Sequence, residues 1–245
     1  MQEWLNYFEH NRVNRLFIPW EEGANIEAHL RRPLIRSLRR FQVGESGEGR
    51  KLRRHAAQTG DPVYARAIEL FVREEQEHAR LMGELLRRLG APLLRRHWSS
   101  DCFKWMRRAC GLRVELLVLL LPEMIAKCYF RVLHDATRYS VPRAIFAQIL
   151  HDENGHVAFH VEYLRRAFEG LSFTRRIAIQ VAWRLVYRAT CAVMIADHGP
   201  VLRACGMSLK RFWNDCGRVF DETAAGIFSP ATVLAPAPIL QLVKS

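Results

Sequence analysis

Arg73-Glu74-Glu75-Gln76-Glu77-His78 recurs in altered form as His151-Asp152-Glu153-Asn154-Gly155-His156. Each copy holds a Glu-x-x-His preceded directly by a second acid. Residues three apart on an α-helix share one face, about a turn from each other. Glu75 therefore projects with His78, and Glu153 with His156. Both copies sit in apolar, helix-forming text, Tyr64 to Leu89 around the first and Ala144 to Phe168 around the second. The pairing extends upstream: Glu45 precedes Glu75 by 30 residues, and Glu123 precedes Glu153 by 30. Glu45, Glu75 and His78 thus map onto Glu123, Glu153 and His156 at a constant offset of 78, and Glu74 maps onto Asp152. Gly44 maps onto Pro122, so each lone glutamate follows a residue that weakens a helix. Two antiparallel helix pairs built this way would aim four carboxylates and two imidazoles at one point.

The flanking text predicts the remaining helices. Residues 1–24, with Trp4, Tyr7, Phe8, Phe17 and Trp20 at irregular spacing, read as a short helix and a loop packed on a bundle. A first long helix starts near Asn25 and runs through Arg40 towards Glu45. Gly44, Gly47 and Gly49 crowd that glutamate, and each costs a helix about 1 kcal/mol against alanine. Glu45 is therefore either a solvated loop residue or a ligand beside space that the small residues open; the repeat selects the second. Glu48, three residues on, is the alternative ligand. Asp61 suits an N-cap and Pro62 a first helical position, opening a helix to about Leu89. A connector over 91–110 carries Trp98, Phe103 and Trp105. Then come helices over 112–136, 140–168, 175–204 and 209–225, and a Pro/Ala-rich tail expected to be extended. Glu115, about 12 Å along the axis from Glu123, is its rival as ligand. His160, one turn beyond His156, is a candidate additional ligand or supporting donor, and Tyr129 a candidate redox neighbour, although a packed histidine and a packed tyrosine are the commoner outcomes.

At 245 residues with 49% hydrophobic and 25% charged side chains, the chain has the composition of one large globular domain. No stretch of 18 uninterrupted apolar residues occurs, and the most apolar run, Leu116 to Leu121, is bracketed by Glu115 and Glu123, so no membrane span is expected in the chain. Met1-Gln2-Glu3-Trp4 does not open a basic-then-apolar leader, so the cytoplasm is the expected compartment. Cysteines 102, 110, 128, 191, 205 and 216 form no close Cys-x-x-Cys pair and read as small buried hydrophobes. The net charge of +12 resides in scattered arginine doublets such as Arg31-Arg32, Arg107-Arg108 and Arg175-Arg176. Scattering favours an ordinary solvated surface over a nucleic-acid stripe.

The order and spacing of Glu45, Glu75-x-x-His78, Glu123 and Glu153-x-x-His156 resemble the ferritin-like di-iron carboxylate proteins, in which two helices give one Glu each and two give Glu-x-x-His. The resemblance covers roughly residues 25–170. It implies an all-α fold, a ferritin-like four-helix bundle with additional C-terminal helices, in a single domain over 1–245: a metal-binding core at 25–170 and accessory helices with the tail at 171–245. It implies Glu45, Glu75, His78, Glu123, Glu153 and His156 as ligands to two iron ions, or to a manganese–iron pair, with Glu74, Asp152 and His160 in support. The crossed pairs expected are Asp152 with His78 and Glu74 with His156. It further implies a dioxygen-dependent oxygenase or oxidase acting on a small-molecule or carrier-bound substrate. Electrons would come from a redox partner protein, because no flavin or nicotinamide fingerprint occurs. A homodimer is compatible with this reading. A tRNA-modifying hydroxylase using the arginines, and an iron-oxidising storage or stress protein, are the alternatives.

Overall fold

The computed structural model describes residues 1–98 and 111–229. Cys102, Phe103, Trp105, Cys110 and the tail from Pro230 lie outside the described residues. Within them the chain is helical, without strands: α1 (Gln2–Val13), α2 (Ala28–Glu45), α3 (Arg50–Ala57), α4 (Pro62–Arg88), α5 (Leu112–Ala136), α6 (Ser140–Ala167), α7 (Phe173–Ala204) and α8 (Leu209–Phe228), with a 3-10 turn at Trp20–Glu22. Local chemistry explains the boundaries. The Asp61 carboxylate accepts the Tyr64 N–H at 3.0 Å, and Pro62 follows at the first helical position. Gly90 turns the chain out of α4 with φ 72°. Ser208 caps α8 by accepting the Arg211 N–H at 3.2 Å.

Helices α2, α4, α5 and α6 form a four-helix bundle. α2 packs on α4, and α5 on α6 through the short Thr137–Tyr139 connection. Leu34, Leu38, Ile68, Phe71, Leu120, Met124, Phe130 and Phe146 fill its interior and are buried. α1 lies against α4, α7 against α2 and α5, and α8 against α6 and α7. The run Leu116–Leu121, apolar on nearly every side, is largely buried because α5 is covered by bundle helices and by α7 and α8.

Two features depart from the sequence expectation. The segment after the glycines contains the short helix α3, entered through Gly49 in the left-handed region (φ 59°). Glu45 is the last helical residue of α2, so the glycines at 47 and 49 shape the exit rather than break the helix ahead of the glutamate. A Cβ on Gly49 would lie 2.6 Å from the Val72 side chain, so this glycine also permits close approach of the loop to α4. The second concerns α7. It is long and apolar enough, by length and composition, to cross a membrane, and only 22% of its most apolar window is buried. Phe173 is 79% exposed and Leu185 63%. The helix that meets this criterion is therefore α7, not the Leu116–Leu121 run.

Gly155, inside the second motif, is where α1 meets α6. A Cβ there would fall on the Tyr7 hydroxyl and 2.7 Å from its Cζ. In an unobstructed helix interior, Gly→Ala stabilises by about 1 kcal/mol. Here Gly155→Ala should instead lower the melting temperature, and Tyr7→Ala in the same chain should restore most of the loss. A double-mutant cycle in thermal unfolding measures this coupling; additive effects would disprove the contact.

Candidate metal centre

Each bundle helix brings acids to one level of the bundle interior. α2 ends with Glu45; α4 contributes Glu75 and His78; α5 contributes Glu123; α6 contributes Glu153 and His156. Glu75, Glu123, Glu153 and His156 each offer a ligand atom, and those atoms lie within 4.8 Å of one another. His156 Nδ1 is 3.0 Å from Glu75 Oε1, 3.3 Å from Glu123 Oε2 and 3.7 Å from Glu153 Oε2. His78 Nδ1 approaches from the other side, 3.6 Å from Glu75 Oε1 and 3.7 Å from Glu153 Oε1. Glu45 sets its carboxyl against that of Glu75.

Both imidazoles are fully buried and held from behind. His78 Nε2 is 2.9 Å from Asp152 Oδ2, and His156 Nε2 is 2.9 Å from Glu74 Oε2. An ionised carboxylate only accepts, so each Nε2 carries a proton and each Nδ1 is turned towards the cluster. The acids are themselves tied down by residues that no motif announced. The Asn11 side-chain amide donates to Glu74 at 2.6 Å and to Asp152 at 2.8 Å, bridging the two. Arg15 grips Asp152 with both terminal nitrogens, at 3.0 and 2.6 Å, and the Gln148 amide adds a third donor at 2.9 Å. Asn11 and Arg15 come from α1 and the residues just after it, a stretch whose irregular spacing carried no signal of a polar role.

The other candidates fall elsewhere. Glu115 is buried but bound to His55 Nδ1 at 2.7 Å. Glu48 is exposed and pairs with Arg50. His160 is buried edge-on to Phe71, ring centres 4.8 Å apart, and is outside the mutually close set. Tyr129 is a core residue hydrogen-bonded to Ser37.

The donor set fits a cation. Glu75 Oε1, Glu123 Oε2, Glu153 Oε2 and the Nδ1 atoms of His78 and His156 are buried without a hydrogen bond. Native proteins leave few buried polar atoms unsatisfied, and here such atoms converge on one space. Carboxylate oxygens with imidazole nitrogens suit iron or manganese. Without a cation the same groups must share protons. Burial pushes Glu45 and Glu153 well above the usual carboxylate range, reinforced by the charges of Glu75 and Glu123 on Glu45 and of Glu123 on Glu153. Glu75 rises for the same reasons, burial first and then Glu123. Burial opposes charge on His156 too, yet Glu123, Glu153, Glu74 and Glu75 around it drive its pKa well above the ordinary value. Glu123 goes the other way: His156 and Glu153 outweigh burial and lower it to about 2.

These directions set a pH dependence. Groups with raised folded-state pKa bind more protons folded than unfolded, so they stabilise below their unfolded pKa and lose that stability as pH climbs through the folded value. Glu45, Glu75, Glu153 and His156 all act in this sense; Glu123 is lost only as pH falls towards about 2. Chelator-treated protein should therefore lose thermal stability as pH rises above the ordinary carboxylate range of about 4, and a divalent cation should suppress that loss by replacing the protons. Melting curves across this range, with chelator and with ferrous iron under anaerobic conditions, make the comparison.

No family model matches the sequence, and neither does any curated protein. Among solved structures, a Synechococcus protein described as having aldehyde deformylating oxidase activity aligns with 89% of this chain and 97% of its own, at a TM-score of 0.60 and 19% identity. The likeness shows the fold: an all-α, ferritin-like four-helix bundle with additional C-terminal helices.

Proposed function

We propose that this chain is a dioxygen-dependent oxygenase or oxidase. A pair of iron ions, or manganese with iron, would be held by Glu45, Glu75, His78, Glu123, Glu153 and His156. The observation that carries the reading is the meeting of unsatisfied buried ligand atoms with a cavity. A space of about 570 Å³ has Glu45, Glu75, Glu123 and Glu153 in its wall, beside Phe71 and Leu119. The carboxylates face this space and the imidazoles lie behind them. When bound, the metal pair would supply dioxygen reduction, with electrons from an external donor protein. The aldehyde deformylating oxidase activity of the Synechococcus protein offers a precedent for oxidative chemistry on this fold.

The residues divide the remaining tasks. Asp152 and Glu74 fix the two imidazole tautomers, so that neither ring needs to reorient when a metal arrives. His78 and Arg15 hold Asp152 ionised against burial. The apolar part of the wall takes the body of a small organic or carrier-bound substrate. The scattered arginines form no basic stripe, and an RNA substrate is the less favoured reading.

Anaerobic titration with ferrous iron should saturate near two ions per chain. Glu153→Gln or His156→Ala should abolish or halve that number while circular dichroism retains the helices. Admitting oxygen to the reduced, loaded protein should change its visible absorption; a chain that stays iron-free would sink the proposal. Arg15→Met, remote from the ligands, should weaken metal affinity roughly 10–100-fold, the usual effect of losing an outer partner.

A further inference from the structure

A second buried polar group reaches the same cavity through His198. Ser37 Oγ (α2) stands 2.5 Å from the Tyr129 hydroxyl (α5) and 2.6 Å from His198 Nδ1 (α7). Tyr129 is fully buried, Ser37 nearly so, and His198 is 7% exposed while contributing to the cavity wall. Phe41 stacks on Tyr129 at 4.4 Å and lies against His198 at 4.9 Å, clamping both rings. Ser37 is eight residues from Glu45 on α2 and Tyr129 six from Glu123 on α5, which places the trio about 9–12 Å along the bundle from the carboxylates.

The protons in this chain can be ordered. Among the described residues Ser37 Oγ is the hydrogen-bond partner of the Tyr129 hydroxyl, whose single proton must therefore go to it. Ser37 then donates its own proton to His198 Nδ1. Burial, with Arg40 and His97 nearby, lowers His198 to about 3, so the ring is neutral and carries one N–H. That proton must sit on Nε2, which has no hydrogen-bond partner among the described residues. The reverse order would strand the Tyr129 proton in the core without an acceptor.

We propose that His198 presents Nε2–H to the cavity as a fixed donor and binds the carbonyl oxygen of an uncharged, largely apolar molecule, anchoring it about 10 Å from the carboxylate cluster. An anionic head group is disfavoured. Arg40 is occupied by Asp197, through its carbonyl and through its carboxylate at 3.4 Å. Arg50, also in the wall, is likewise paired with Glu48. Phe41, Leu52, Phe71, Val72, Leu119 and Ile125 supply the apolar lining. The donor assignment stands on the Ser37–Tyr129–His198 geometry alone; the placing of an oxidised atom at the far end rests on the proposed function.

Two measurements on the full chain test it. In ¹⁵N-histidine-labelled protein, two-bond ¹H–¹⁵N correlations should show His198 as the Nε2–H tautomer, and Ser37→Ala should release it to a mixture. In calorimetric titration, octanamide should bind and perturb the His198 Nε2 signal, while octanoate should bind at least about tenfold more weakly. His198→Phe should lose about tenfold for octanamide, the effect of one hydrogen bond, and His198→Gln should recover part of it. An Nδ1–H tautomer in the wild-type chain, or octanamide affinity untouched by His198→Phe, overturns the proposal. Ferrous stoichiometry is read separately: its failure with octanamide binding intact would remove the oxidase reading and leave the donor site standing.

Discussion

Burial of negative charge is the constraint around which the molecule is arranged. Glu45, Glu75, Glu123 and Glu153 meet inside a bundle whose other interior side chains are mostly apolar, leucine, isoleucine and phenylalanine foremost. Carboxylates in such a place must acquire protons, counter-charges or metal ions. The upward shift of three of them and of His156, set against the depressed Glu123, is the proton-sharing solution. A divalent pair is the alternative, and the buried atoms without hydrogen bonds mark where it would sit.

The same constraint explains why the bundle carries α1. Glu74 and Asp152 are themselves buried acids, 6% and 0% exposed, and each must be neutralised without disturbing the histidine it supports. Asn11 joins them and Arg15 supplies positive charge to Asp152. For these side chains to reach inward, α1 must lie close to α6, and Gly155 gives it room beside Tyr7. A glycine within the second Glu-x-x-His, which in isolation reads as helix weakness, is a packing requirement of a helix almost 150 residues away in the chain.

The cavity follows from where α2 stops. Glu45 occupies the last turn of that helix, and Gly47 and Gly49 lead the chain away along α4 instead of filling the space beside the acids. α3 and α7 then close the walls at a distance from the carboxylates, and His198, Ser37 and Tyr129 bring polar chemistry to the end where α7 crosses α2.

The faces that carry the acid and histidine cluster were legible in the sequence because they depend on helical periodicity: Glu75 with His78, Glu153 with His156, and the equal interval back to Glu45 and Glu123. Helix starts at Pro62, Ser140 and Leu209 were legible for a similar reason, since caps and prolines act over a few residues. Glu115 and Glu123 share α5, and equal spacing favoured the second; only the fold shows what the first does, because His55, its partner, lies on another helix. Asn11 and Arg15 gave no warning, for their role exists only once α1 crosses α4 and α6. The Tyr129–Ser37–His198 chain joins three helices over 161 residues. Local sequence determines which face of a helix carries a charge. Which charges meet, and what neutralises them, is decided by packing between distant segments, where proximity has no periodic signature.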